Sequence, residues 1–250
     1  MLKSAAEVLV RGASLPIVLL TLSNPISIAH AQQKCANPAG KKYISKAQYY
    51  APDATRAQGI LVSFGAVRVP VPDRRPECLP LPVRLNNPGA LKTPNAGPWN
   101  GQIAKDLKGH AVFRTTGAGV AAWTLWMERR VQDGRNTAFK LMSMYAPPDD
   151  CIGSVKKIKN AQGQWVCPPG YPLNPTREYA DRVAAAVNKK ADDILFTSRP
   201  SCPQNRDAAF AMLEAIMKFE NGAFCGKNGC SVERTLFEAA MDTHGHAGCG

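Results

Sequence analysis

The stretch Asn205-Arg-Asp-Ala-Ala-Phe-Ala-Met-Leu-Glu-Ala-Ile-Met-Lys-Phe-Glu-Asn-Gly222 decides how this chain reads. Ala209, Leu213, Ile216 and Met217 recur at offsets of three and four, the period of one buried helical face. Glu220 lies four residues after Ile216 and seven after Leu213, so it continues that face, whereas Glu214 and Lys218 fall outside it. Asn221-Gly222 then stops the helix. Partial burial and the negative end of the helix dipole both disfavour a charged Glu220, so its pKa is expected to lie above the ordinary carboxyl range. A carboxyl group that keeps its proton near neutral pH is suited to general-acid chemistry. A glutamate at a helix end is also a common surface residue, so the reading needs support from the rest of the chain.

Working outward, helical patterns run from about 117 to 131, 136 to 145, 176 to 190, 205 to 219 and 231 to 241. Thr115-Thr116 precedes the first and Asn136 is placed to cap the second. Thr176-Arg-Glu and Ser231-Val-Glu put a hydroxyl residue and an early acid at two later starts. Trp123 and Trp126, three apart with Leu125 and Met127 nearby, read as core. A short strand is expected at 110–113, after a Pro/Gly/Asn-rich loop over 86–101. Residues 149–175 form a long Cys- and Pro-rich loop of the kind that is usually functional or inserted.

The first 31 residues read as a secretory signal. Lys3 and Arg11 form a basic start, an apolar run follows from Ala13, and Ala29-His30-Ala31 has the small-x-small pattern of a cleavage site. Pro16 and Ser23-Asn24-Pro25 interrupt the run, which makes it a poor transmembrane span, and no other segment is apolar enough to cross a bilayer. All eight cysteines lie after the proposed cut and none forms a Cys-x-x-Cys pair, which favours structural disulfides in a periplasmic or secreted protein over a zinc ribbon or redox centre. Connectivity is not derivable, although Cys225 with Cys230 and Cys151 with Cys167 would close local loops.

The formal net charge of +12 favours anionic partners through its long-range field. The basic residues are scattered, and the one short run, Lys156-Lys157-Ile158-Lys159, carries no interleaved stacking aromatics, so nucleic acid is not the expected partner. His244-Gly245-His246 stands in a glycine-rich tail without acidic company, so neither a metal nor another cofactor is expected.

Prolines at 38, 52, 70, 72, 76, 80 and 82 bracket the alternating stretches Ile60–Phe64 and Val67–Val69. Residues 32–83 therefore read as a Pro-rich arm with short strands, held by Cys35 and Cys78. The body spans 84–243, with 244–250 a flexible tail. Near its start, Arg84-Leu85-Asn86-Asn87-Pro88-Gly89-Ala90-Leu91 builds a tight turn whose asparagines can bond their own backbone or a ligand hydroxyl.

The order Asn-Asn-Pro-Gly, Trp99-Asn100-Gly101-Gln102, Gly109-His110-Ala111-Val112-Phe113, Gly117-Ala118-Gly119, Ala146-Pro147-Pro148 and Phe219-Glu220-Asn221-Gly222 resembles a family of phage and prophage virion proteins. Those carry an Arg-Asn-Asn-Asn-Pro-Gly-Asn segment, a Gly-Phe-Ala-Val-Phe strand, a Trp-Ala-Pro-Pro stop and a late His-Glu-Asn-Gly. The likeness covers roughly Arg84 to Gly222. Leu85, Ala90, Tyr145 and Phe219 replace the first Asn, the last Asn, the Trp and the His of that pattern, and the loop from Cys151 to Pro172 looks inserted. More distantly, the chain is similar to lysozyme-like lytic transglycosylases and glucosaminidases, which place a catalytic Glu at a helix end beside a β-hairpin lobe. Here the hairpin-like segment precedes the Glu helix, an order that a circular permutation would reconcile.

These resemblances imply a mainly α (α+β) fold, a lysozyme-like helical domain with a small β-hairpin lobe, acting on peptidoglycan as a lytic transglycosylase or muramidase. Glu220 would be its general acid/base. Asn86, Asn87 and Gln102 would hold sugar amides or hydroxyls, and Trp99 and Tyr145 would offer apolar faces to pyranose rings. No second carboxylate is an obvious partner, since nothing in the sequence places Asp106, Asp133 or Asp149 beside Glu220, which favours a single-acid mechanism over the paired carboxylates of most glycosidases. Two other classes fit the same features: a non-catalytic wall-binding or assembly component of a phage-derived or secretion system, and a disulfide-stapled effector or inhibitor.

Overall fold

The structure is a computed structural model that describes residues 34–36, 60–64, 67–70, 75–225, 229–245 and 249. The expected leader over 1–31 and most of the segment 32–59 lie outside these residues. The described residues belong to one compact unit that begins at Lys34.

The architecture is mixed and rich in helix. The elements are β1 (Ile60–Phe64), β2 (Val67–Pro70), α1 (Leu81–Arg84), β3 (Gln102–Lys105), β4 (Ala111–Phe113), α2 (Thr116–Gln132), α3 (Ala138–Tyr145), β5 (Ile158–Lys159), β6 (Trp165–Val166), α4 (Thr176–Ala185), α5 (Arg206–Asn221), β7 (Cys230–Val232) and α6 (Arg234–Asp242). The five helical patterns each form a helix. Among the described residues no helix is long and apolar enough to cross a membrane.

Side-chain caps form at two of the helix starts, whereas the Thr176 hydroxyl donates to the Ala146 carbonyl and caps nothing at α4. The Thr115 hydroxyl accepts from Ala118 N at 3.1 Å and caps α2. Helix α3 is capped by the Thr137 hydroxyl, which accepts from Lys140 N at 3.2 Å, and not by the preceding Asn136. Ser231, expected to open the last helix, instead lies within β7, and α6 begins at Arg234. Gly222 ends α5 with φ of 49°, a left-handed conformation that costs glycine little.

Helix α5 runs through the core. Ala209, Leu213, Ile216 and Met217 are all fully buried, as their spacing predicts. Each large apolar side chain buried in this way stabilises the fold by roughly 1.5–3 kcal/mol. Trp123, Met127, Tyr179, Val183, Phe237 and Met241 meet this stripe from α2, α4 and α6. Trp126 is almost fully buried as well.

A sheet of order β2-β1-β7 crosses the expected boundary at residue 83, because β1 pairs antiparallel with β7 near the C-terminus. Strand β1, and β2 through it, is thus joined to the body by backbone pairing. The hairpin β3-β4 forms a second small sheet, and β5-β6 forms a third within the long loop.

Four disulfides link Cys35–Cys78, Cys151–Cys167, Cys202–Cys249 and Cys225–Cys230. The first and third close loops of 43 and 47 residues, each worth about 4 kcal/mol as lost denatured-state entropy. Of the segment 244–250, the described residues 244, 245 and 249 carry contacts to the body. Cys249 is bonded to Cys202, the His244 ring meets the Thr124 hydroxyl at 2.9 Å, and Arg199 donates to the His244 carbonyl at 2.7 Å. Arg199 also pairs with the buried Glu128 at 2.9 Å, so this corner ties α2 to the chain terminus.

Candidate functional site

The Asn-Asn-Pro-Gly turn docks onto α2 through two glycines. A Cβ on Gly89 would lie 2.1 Å from Trp123 Cδ1, and one on Gly119 would lie 2.0 Å from the Asn86 carbonyl oxygen. Only glycine permits either approach. Asn86 holds a left-handed φ of 53° and Ala90 one of 47°, so the turn reverses direction in two steps.

Asn86 and Asn87 do not face a ligand. Both are completely buried. Asn87 Nδ2 donates to the carbonyls of Leu91 (2.8 Å) and Ala111 (2.9 Å), while its Oδ1 accepts from Leu91 N (2.9 Å). Asn86 Nδ2 reaches the carbonyls of Phe113 (3.4 Å) and Arg114 (3.3 Å), and its Oδ1 accepts from the Thr116 hydroxyl. These amides fasten the turn to β4 and α2, which corrects the expected role in sugar binding. Gln102 is likewise committed internally: Nε2 donates to the Thr93 hydroxyl (2.7 Å) and the Ala104 carbonyl (2.9 Å), and Oε1 accepts from Trp99 N (3.1 Å).

The turn thereby builds one wall of a groove of about 700 Å³. Glu220 lies in this groove together with Trp99, Tyr145, His110, Lys92 and Arg129. Of the residues singled out by sequence, Glu220, Trp99 and Tyr145 meet here. Trp99 is fixed by donation from its Nε1 to the Lys92 carbonyl at 3.0 Å.

Glu220 is held by two tyrosines. The Tyr179 hydroxyl donates to Glu220 Oε1 at 2.9 Å. The Tyr145 hydroxyl has one proton, and its 2.6 Å bond to the Gly89 carbonyl takes it. Its 3.4 Å contact with Oε1 is therefore the weaker one. Glu220 Oε2 bonds no described group. Tyr179, fully buried, stacks on Phe219 with ring centroids 3.9 Å apart and meets Tyr145 edge-on, so neither hydroxyl is free to swing away.

Glu220 is solvent-exposed along the groove and so does not continue the buried stripe as its spacing predicts, although protein packed around the carboxyl group itself still removes part of its hydration. That crowding raises its pKa above the ordinary value, against the opposing effects of the Tyr179 hydrogen bond, the positive charge of His110 and the Tyr145 contact. Burial is also the main reason both tyrosines titrate well above their usual range, so they stay neutral.

Opposite the tyrosines stands a pair that the sequence reading passed over. His110 Nδ1 lies 2.9 Å from Asp106 Oδ2, and Asp106 Oδ1 accepts from the backbone N–H groups of His110 (2.7 Å) and Lys108 (2.9 Å). Burial works against the Asp106 charge, but these hydrogen bonds and the His110 charge outweigh it and leave the pKa lowered. Behind it, Arg84 is 7% exposed with Nε and Nη1 unbonded. Burial lowers its pKa and the charge of Asp106 works the other way. The spacing Asp-x-x-x-His across the Leu107-Lys108-Gly109 turn was the available signal. Tyr179 left none, since it sits on the buried face of an ordinary amphipathic helix.

Among the described residues no group of three or more His, Cys, Asp or Glu side chains is arranged to hold a metal ion. In comparisons with known proteins, no protein-family model matches the chain and no curated protein is significantly similar to it.

Proposed function

We propose that this protein is an exported peptidoglycan-cleaving enzyme, a lytic transglycosylase or muramidase, in which Glu220 is the general acid/base. The observation that carries the reading is Glu220 itself: a carboxyl with raised proton affinity, one oxygen anchored by Tyr179 and the other unbonded, in a groove of saccharide size. The protonated carboxyl would deliver its proton to the glycosidic oxygen as the C1–O bond breaks. Trp99 and Tyr145 line the same groove and supply apolar ring faces of the kind that pyranose rings pack against.

Export rests on the sequence of residues 1–31 and on four disulfides, which persist in oxidising compartments. Without Lys3, Glu7 and Arg11, which leave with residues 1–31, the formal charge falls from +12 to +11, and that charge would keep the protein on an anionic wall. A lysozyme-like arrangement in permuted order, related to the phage and prophage virion proteins, is the fold reading that fits a helix-end Glu beside a β-hairpin.

The test is clearing of purified sacculi by the mature protein and by Glu220→Gln. The wild type should clear the suspension and the variant should not. Equal clearing by both, or by neither, rejects the proposal, and retention on sacculi without clearing would indicate a wall-binding component.

A further inference from the structure

Resting on the proposed glycan cleavage by Glu220, we infer that His110, held by Asp106, is the proton acceptor for the incoming nucleophile in the same groove. The bond from Nδ1 to Asp106 Oδ2 (2.9 Å) fixes the ring. In the neutral imidazole, the form that can act as a base, Nδ1 gives its hydrogen to the Asp106 carboxylate and Nε2 keeps its lone pair; the charge that lowers the Glu220 and Asp106 pKa values belongs to the imidazolium formed when Nε2 takes a proton. That nitrogen bonds no described group, is not a buried atom lacking a partner, and belongs to a residue lining the groove, so solvent in the groove reaches it. Both side chains of the pair are only 12% exposed. Backbone donation from Lys108 and His110 fixes Asp106 in the turn, and its other carboxyl oxygen then orients the imidazole through Nδ1.

The arrangement resolves a deficit in the sequence reading. A glycosidase with separate acid and base needs two groups in one groove. Besides Glu220 the groove lining holds one further carboxylate, Asp150, but it is exposed and no described group bonds its side chain to orient it, whereas His110 is fixed by Asp106. Asp106 reaches the groove only through His110. An aspartate bonded to Nδ1 also stabilises the imidazolium that forms when Nε2 accepts a proton.

Glu220 gives its proton to the leaving glycosidic oxygen as the C1–O bond breaks. The oxygen of an incoming hydroxyl, from water or from the sugar's own primary alcohol, bonds to C1, and its proton passes to His110 Nε2. Glu220 ends as a carboxylate and His110 as an imidazolium, and proton exchange with solvent restores both. Water gives a reducing end and the sugar hydroxyl an anhydro end, so the product identifies the nucleophile.

The experiment compares wild type, Glu220→Gln, His110→Ala and His110→Asn on sacculi, with and without added azide, after matching their thermal unfolding. The asparagine amide can keep the Asp106 bond while removing Nε2, which guards against simple misfolding. Azide attacks without needing deprotonation, so it replaces the function of a lost base but not of a lost acid. Both His110 variants should lose about 10²–10⁴-fold in kcat. Azide should restore turnover to both and leave a glycosyl azide detectable by mass, while Glu220→Gln stays inactive. Wild-type kcat in the His110 variants, with Glu220→Gln inactive, overturns the inference and leaves the glycan-cleavage proposal standing. Lost activity that azide does not restore assigns His110 a structural role and also overturns it. Failure of the wild type to cleave sacculi removes both.

Discussion

The Tyr179 hydroxyl donates to Glu220 Oε1 across 2.9 Å, from a helix 41 residues earlier in the chain. It anchors one carboxyl oxygen, so the proton that matters for chemistry resides on the other. It also stabilises the carboxylate, and so moderates the rise in pKa that burial produces.

Tyr179→Phe should therefore raise the Glu220 pKa further and extend the alkaline limb of the pH–rate profile. The ring stays, so its stack on Phe219 persists. Losing a hydrogen bond to a carboxyl group should lower kcat about 10–100-fold, while stability falls by only about 1 kcal/mol. Steady-state rates across pH, with denaturant unfolding as control, check this.

The raised pKa also links Glu220 to stability. The folded protein holds this proton more tightly than the unfolded chain does, so the stabilisation is complete below the unfolded-state carboxyl pKa. It is lost as pH rises through the folded-state value. Glu220→Gln removes that loss. The variant should unfold at a higher temperature than wild type at neutral pH, and the difference should shrink as the pH is lowered. Calorimetry from acid to neutral pH measures it.

Asn87→Ala should act on the fold and not on the site. It leaves Leu91 N without its acceptor and takes one donor from each of the Leu91 and Ala111 carbonyls, of which the Leu91 carbonyl keeps Ala111 N, at a cost of roughly 1–3 kcal/mol. Activity per folded molecule should stay near wild type if the groove wall reforms, with KM unchanged. A rise in KM without loss of stability would restore the sugar-binding role that burial rules against.

Two neighbouring residues in the turn should respond in opposite directions. Ala90 sits at φ of 47°, where a Cβ is strained, and Ala90→Gly should stabilise by about 0.5–1 kcal/mol. Gly89→Ala would drive a Cβ to 2.1 Å from the Trp123 ring and should cost about 2–4 kcal/mol. Urea midpoints for the two variants settle the comparison.

Much of the helical framework was legible in the sequence because its signals are local. Period and stop residues located the five main helices, and the Asn221-Gly222 stop set the end of the one that carries Glu220. Caps were less secure: Asn136 and Thr137 are both good cap residues, and only tertiary packing chose the threonine. Asn86 and Asn87 were misread because a turn of this composition looks the same whether its amides bind backbone or ligand. The pairing of β1 with β7 joins residues some 170 apart, and no sequence period encodes it. Tyr179 escaped notice for the same reason, since its role depends on which helix end it meets.

The most direct test of the account is mass analysis of the soluble fragments released from purified sacculi by wild type and Glu220→Gln under matched conditions. The account predicts disaccharide-containing muropeptides, with reducing or anhydro ends, from the wild type and none from the variant. Fragments released equally by both proteins would contradict it.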